Sequence, residues 1–351
     1  MRVGLVLEQC LAPVPGGTGR YSREIAHALA TTSPPGSTVE GVTAWHRQPL
    51  QLADIPVRRL LLPRRALVAA WSGSGRPRLD ADVVHAPTPL HPRKQRGQRL
   101  VVGVHDAVPW THPETLTPRG VRWHRAMVER AAAEADLVVV PTHAVAKELG
   151  RHVGLREVAV VGEGVSADLA LPPDADERAA RMGLPEQYLL TVATLEPRKG
   201  LADLVAALPA GVPLLVAGQQ GWRGVDPTAL EQTKGVHVLG QVPDADLAVL
   251  LRRAAALVVP SLAEGFGLPL LEGMAVGTPV VTTDVPALVE VAGGAALAVP
   301  RRELGEALRA VLDDDALRAR LRREGPLRAA HYTWEGAARA LWDAYQPSPT
   351  D

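Results

Sequence analysis

Residues 256–275 read ALVVPSLAEGFGLPLLEGMA, and the order of residue types in this stretch decides the fold. Ala256–Val259 is a short, wholly apolar run, the pattern of a strand buried on both faces of a parallel sheet. A glycine-rich turn follows at Gly265-Phe266-Gly267. Pro269 then suits the first turn of a helix, where its missing N–H costs nothing. A strand that passes through a glycine turn straight into a helix is the building block of a doubly wound α/β domain.

The same alternation extends in both directions. After the midpoint, strands are expected at Tyr188–Val192, Pro213–Ala217, Val236–Leu239, Ala256–Val259 and Thr278–Thr282. Helices are expected at Gly200–Leu208, Asp244–Ala254, Pro269–Ala275, Pro286–Val291 and Arg302–Leu312. Before the midpoint, the strands are Val3–Leu7, Val83–His85, Leu100–Val104, Leu137–Val140 and Val158–Val161. A helix at Gly19–Ala30 carries Tyr21, Ile25, Ala28 and Leu29 on one face, and another spans Arg122–Ala133. Between the halves, LALPPDADERAARMGLP (Leu169–Pro185) breaks the apolar rhythm with prolines and charges and reads as a linker. The division is therefore a first domain over 1–168 and a second over 186–330. A C-terminal helix in TWEGAARALWDAY lies within 331–351, and the final QPSPTD is expected to fray.

The chain has 351 residues, which suits two domains, and 46% hydrophobic composition, enough for a sizeable core. Its 38 basic and 38 acidic residues cancel, which removes the general argument for a nucleic-acid partner. One cysteine, Cys10, rules out an internal disulfide and suits a reducing, cytoplasmic compartment. No apolar run approaches the ~20 residues of a spanning helix. Peripheral contact with the inner face of a membrane is left open. Arg58–Val68 mixes four arginines with leucines and valine, and His91–Arg99 adds Arg93, Lys94, Arg96 and Arg99. The plain reading of the first stretch is a solvated loop and helix face whose leucines pack on the domain.

In doubly wound domains, ligands bind at the carboxyl ends of the strands, so the strand-to-helix turns are where chemistry is expected. If the strand ends of two such domains face one another, the cleft between them is the expected active site. The first turn is Pro15-Gly16-Gly17-Thr18-Gly19-Arg20. Its glycines allow close approach of a ligand, but Ser22 breaks the dinucleotide fingerprint. The second places His105, followed by Asp106, at a strand end, where the acid either orients the ring or caps the next segment. His85 and His91 are weaker candidates. The third is Leu195-Glu196-Pro197-Arg198-Lys199-Gly200. Paired cations before a helix oppose its dipole, which implies that they serve an anion such as phosphate. The fourth carries Glu264 and Glu272 on either side of the Phe266, Gly267 and Leu268 backbone N–H groups. A phosphate there would sit between two carboxylates suited to sugar hydroxyls. Three D-x-D triplets, beginning at Asp80, Asp174 and Asp244, read as structural, Asp244 as a helix N-cap.

Together these residues resemble the retaining glycosyltransferases of family GT4, the glycosyl transferases group 1. That family has a GT-B fold of two Rossmann-like domains facing across a cleft, with the last helix crossing back to the first domain. The likeness runs from PGGTGR to the tail. Its most specific element is E-x7-E, met by Glu264 and Glu272, with LEPRKG, LGQVPDADL (Leu239–Leu247) and GTPVVTTDVPALVEVAGG (Gly277–Gly294) in support. The resemblance implies that Gly16 and Gly17 approach the donor diphosphate and that His105 contacts the transferred sugar. It gives Arg198 and Lys199 the leaving diphosphate, and Glu264 the sugar hydroxyls. Phe266, Gly267 and Leu268 would bind phosphate or sugar oxygens, Glu272 the ribose, and backbone groups of Val238–Val242 the base. One departure stands out: many relatives carry Gly-Arg where this chain has Ala193-Thr194, so Arg198 would supply that charge.

The implied reaction moves a sugar from a nucleotide-diphosphate donor to a hydroxyl on a sugar, glycolipid or small-molecule acceptor. It goes with retention, and with no cofactor or metal. FGLPLLEGMAVGTPVV resembles mannosyltransferases, which puts GDP-mannose ahead of a UDP-sugar as donor. The alternatives weighed are a GT-B-fold sugar-nucleotide epimerase and a non-catalytic sugar-nucleotide-binding subunit.

Overall fold

The computed structural model describes residues 1–221 and 225–346. The tail expected to fray lies outside the described residues from 347 onward. The chain divides into two compact units, Met1–Gly164 with Thr333–Asp351, and Val165–Tyr332.

The first unit holds a seven-stranded, wholly parallel sheet. Its strands are β1 (Arg2–Val6), β2 (Thr38–Trp45), β3 (Val57–Pro63), β4 (Val83–Ala86), β5 (Arg99–Gly103), β6 (Leu137–Val140) and β7 (Val158–Val160). Their order is β3-β2-β1-β4-β5-β6-β7, so the winding reverses between β1 and β4. Val84, Val102, Val138 and Val140 are almost fully buried in the core, with Leu67 and Trp71 from the helix Arg64–Ser72.

The second unit repeats the plan with six parallel strands: β8 (Leu189–Val192), β9 (Leu214–Ala217), β10 (Val236–Gly240), β11 (Ala256–Val259), β12 (Val280–Thr283) and β13 (Leu297–Val299). The order is β10-β9-β8-β11-β12-β13, with the reversal between β8 and β11. In open α/β sheets that reversal opens a crevice at the carboxyl ends of the two flanking strands.

Besides strands β2 and β13, which were not expected, four features differ from the sequence reading. Leu169–Pro185 is not a linker: it carries a helix, Ala175–Arg181, whose Ala175 and Ala179 pack on Val249. Arg178 there binds both Asp174 and Asp246. The boundary therefore falls at Gly164/Val165, ahead of 168, because the alanines bury a face that prolines and charges conceal in the sequence. Arg58–Val68 is an edge strand and the start of a helix rather than a loop. Gly16 and Gly17 are the first two residues of the helix Gly16–Thr31, not a loop before it. Asp244 is the first helical residue, with Pro243 in the cap position.

The C-terminal helix Trp334–Ala344 belongs to the first unit. Trp342 donates its indole N–H to the Leu29 carbonyl at 3.2 Å, and Tyr345 Oη lies 2.6 Å from His85 Nδ1. At the crossing point, a Cβ on Gly164 would lie 2.4 Å from the Trp334 nitrogen, so only glycine lets the two chain segments touch.

Candidate active site

In the second unit, the reversal point brings the third and fourth motifs together. The LEPRKG segment leaves β8 through a 3-10 turn at Pro197–Lys199, and Ser261–Glu264 leaves β11, its immediate neighbour. The two loops are fastened by the Leu262 N–H donating to the Arg198 carbonyl at 2.8 Å. Gly200 makes this approach possible. It sits at φ +65°, and a Cβ there would lie 2.0 Å from the Pro260 carbonyl oxygen.

Glu264 is the hub. Its Oε1 accepts from Lys199 Nζ at 2.6 Å and from Ser261 Oγ at 2.7 Å, while Oε2 accepts from Arg198 Nη1 at 3.2 Å. Arg198 also reaches the Ala263 carbonyl at 2.9 Å and Glu196 Oε1 at 2.7 Å. Burial alone would raise the Glu264 carboxyl, but Lys199 and then Arg198 outweigh it and hold the group down at about 2. The cluster is thus two cations and two carboxylates in a largely buried setting. A carboxylate offers about four acceptor positions and three are taken, so Glu264 keeps room for one hydroxyl. Lys199 spends one donor of about three on Glu264.

The helix Leu268–Ala275 follows directly. Gly267 caps it at φ +94°, where a Cβ would strike the Leu288 side chain at 2.4 Å. Phe266 is buried edge-on against Tyr332, ring centres 5.3 Å apart, which anchors the turn. Glu272 is buried one turn inside the helix. Val238 and Val242 lie apart from this cluster: Val238 is on the edge strand β10 and packs on the core, and Val242 is in the turn beyond it. At the corresponding end of β8, Ala193 passes so close to Gly218 that a Cβ on the latter would lie 1.9 Å from the Ala193 oxygen.

In the first unit, His105 follows β5. Its Nε2 is 2.8 Å from the Pro87 carbonyl and its Nδ1 is 3.4 Å from Glu163 Oε1. Tyr21, on the helix that Gly16 and Gly17 begin, packs edge-on against the ring at 4.7 Å. Burial opposes a charge on His105, but Glu163 and the Pro87 carbonyl prevail and raise its pKa. Asp106 caps Val108 through a 3.0 Å bond and leaves orientation of the ring to Glu163. His85 and His91 are wholly buried. Burial takes His85 down to about 3, so it is neutral, and it bonds Tyr345.

Two acids in these clusters had no role in the sequence reading. Glu196 stood inside the quoted LEPRKG motif, and its spacing of two from Arg198 was a usable signal. Glu163 left none, since it meets His105 only through the sheet. Among the D-x-D acids, Asp80 and Asp82 form ion pairs with Arg2, Asp174 and Asp246 with Arg178, and Asp176 with Arg253. Among the described residues, no group of three or more His, Cys, Asp or Glu is placed to hold a metal, and no helix is long and apolar enough to cross a membrane.

Two doubly wound parallel sheets, with polar side chains gathered beyond the carboxyl ends of their strands, define an α/β protein whose ligand sites are expected at those strand ends. Residues 174–328 match the family described as Glycosyl transferases group 1, and residues 15–169 match Glycosyltransferase Family 4. The O-antigen chain mannosyltransferase B of Escherichia coli is 31% identical over 324 residues, spanning 86% of this chain and 81% of that protein. Among solved structures, a sucrose-phosphate synthase from Thermosynechococcus elongatus has a TM-score of 0.79 at 22% identity, over 98% of both chains. Anabaena HepE in complex with UDP-glucose has a TM-score of 0.74 at 18% identity, over 98% of this chain and 99% of its own. The chain belongs to the GT4-type glycosyltransferases, the glycosyl transferases group 1, as a hexosyltransferase with the GT-B fold.

Proposed function

We propose that this enzyme is a retaining, metal-independent hexosyltransferase that uses a nucleotide-diphosphate sugar, GDP-mannose first and a UDP-sugar second. The observation that carries this reading is the Lys199–Glu264–Arg198 cluster at the reversal point of the second unit. Departure of a nucleoside diphosphate builds negative charge, and preorganised cations stabilise that charge without reorganisation. Glu264 fixes both cations in advance and offers its remaining acceptor position to a sugar hydroxyl. Glu272 is assigned to the ribose, Val238–Val242 to the base, and the backbone of Phe266, Gly267 and Leu268 to phosphate or sugar oxygens. In the first unit, Gly16 and Gly17 begin a helix whose N-terminus suits an anion, and His105 serves the transferred sugar.

Retention follows if the departing phosphate itself takes the acceptor proton on the face it leaves, with Arg198 and Lys199 supplying the charge otherwise expected of a metal. The mannosyltransferase relative favours GDP-mannose, and the UDP-glucose complex of HepE keeps a UDP-sugar in the panel. The deciding experiment incubates the protein with both donors and follows hydrolysis and transfer, with the product anomer read by NMR. Inverted product refutes retention, and turnover of neither donor class refutes the donor assignment.

For the acceptor we propose a membrane-borne lipid phosphate on the cytoplasmic face. Leu61, on the edge strand β3, is 94% exposed, and Trp45 at the end of β2 is half exposed. Arg59 and Arg65 flank them. Arg58 and Arg64 are paired with Glu40 and Glu8, and the second basic stretch is neutralised by the Arg93–Glu134, Lys94–Asp136 and Arg99–Glu157 pairs. Each cation near an anionic surface contributes about 1 kcal/mol. Pelleting with anionic but not neutral vesicles at low salt is expected. Equal, poor pelleting with both points to a soluble acceptor.

A further inference from the structure

His105 has a polar partner beside each ring nitrogen. A carbonyl oxygen can only accept, so the 2.8 Å contact with Pro87 puts a proton on Nε2. The other nitrogen faces a carboxylate, Glu163, 3.4 Å away and itself only 5% exposed. A buried carboxylate beside an imidazole favours a proton on that nitrogen as well. The remaining groups around the ring do not compete for this role. Tyr21, on the helix Gly16–Thr31, presents the edge of its ring, and burial together with Glu163 keeps its phenol protonated. His85 on β4 is neutral and bonded to Tyr345. Asp106 adds a favourable charge but spends one oxygen on the Val108 N–H.

We propose that Glu163 is a positioning residue: it holds the His105 ring doubly protonated and fixed against Tyr21, so that His105 contributes a locked, charged ring and takes no proton during transfer. The proposal rests on the reading that His105 serves the transferred sugar. It makes His105 unfit to act as a base, because a doubly protonated ring has no lone pair to accept a proton.

The test is histidine-labelled NMR on the full chain, with the His105 signal assigned by its loss in His105→Gln. In Glu163→Gln the partner charge vanishes while shape is kept, so His105 should titrate about one unit lower or more. Because the active form is the charged one, the alkaline limb of kcat/KM should move down in pH by the same amount. The kcat should fall about 10-fold, with KM changing less than about twofold. Glu163→Asp keeps the charge at greater distance and should fall between the two, and it serves as the second variant if Glu163→Gln does not fold. An unchanged His105 titration in either folded variant overturns the proposal. A shifted titration with no alkaline limb in any of the proteins upholds the Glu163–His105 pair and refutes the role of His105 at the sugar.

Discussion

Replacing Glu264 with glutamine removes the charge of the hub while preserving its size, and the structure sets the expected cost. The carboxyl sits at about 2 in the folded protein against an ordinary 4.5. A difference of about 2.5 units corresponds to about 3 kcal/mol of stability. The sign follows from proton binding. The folded state holds the proton less readily than the unfolded chain, so the stabilisation is complete above the ordinary value and drains away as pH falls toward the folded one. Linkage puts the loss on the order of 1 kcal/mol by about pH 3.5. The amide introduced by Glu264→Gln does not titrate, so the stability gap between the two proteins should narrow by that amount between neutral and acid pH. Tryptophan fluorescence is the wrong probe. Six of the seven tryptophans, Trp45, Trp71, Trp110, Trp123, Trp334 and Trp342, lie in the first unit, so the signal is dominated by that unit. Hydrogen exchange in urea, read on peptides covering β8 and β11, reports the second unit directly. A gap that stays constant to within about 0.3 kcal/mol from neutral pH to about pH 3.5 would refute the idea that Lys199 and Arg198 hold Glu264 ionised.

Lys199→Ala should reduce turnover 10²–10³-fold, on the order of one lost electrostatic stabiliser, and near-normal kcat would remove Lys199 from the leaving-group site. Transfer should continue in excess EDTA, since among the D-x-D acids Asp80 and Asp82 pair with Arg2, Asp174 and Asp246 with Arg178, and Asp176 with Arg253; activity abolished by EDTA and restored by Mg²⁺ or Mn²⁺ would contradict this. Gly200→Ala forces a methyl into the Pro260 carbonyl at an unfavourable φ, so the second unit should lose about 2–4 kcal/mol. An unchanged exchange profile of β8 and β11 would show that the two loops can part without cost.

Much of the fold was legible because the central strands are apolar on both faces. ALVV at β11 and LVVV at β6 declare themselves without any help from context. The two strands at one margin of the first sheet, β2 and the edge strand β3, did not. VRRLLLP at β3 exposes most of its length to solvent, so its arginines read as loop, and TVEGVTAW at β2 carries glycine, threonine and glutamate within the run. The E-x7-E pair and the cations of LEPRKG were visible as motifs. That Glu264 binds both cations depends on β8 and β11 being neighbours, which spacing along the chain does not disclose. Glu163 was out of reach for the same reason: it follows β7, His105 follows β5, and the sheet order alone brings them together.

The chain leaves the first unit at Gly164 and re-enters it at Thr333, and this crossing bears on the order of events during synthesis. A ribosome delivers all seven strands of the first sheet long before the helix that covers Leu29, His85 and Tyr21 exists. The second unit is continuous and can close as soon as it emerges. The usual expectation that the amino-terminal domain matures first is therefore inverted. Nascent chains stalled ahead of Thr333 should show a protease-resistant second unit beside a first unit that is still readily cut. Until the helix Trp334–Ala344 arrives, the apolar surface it covers on the first unit is left to whatever can shield it.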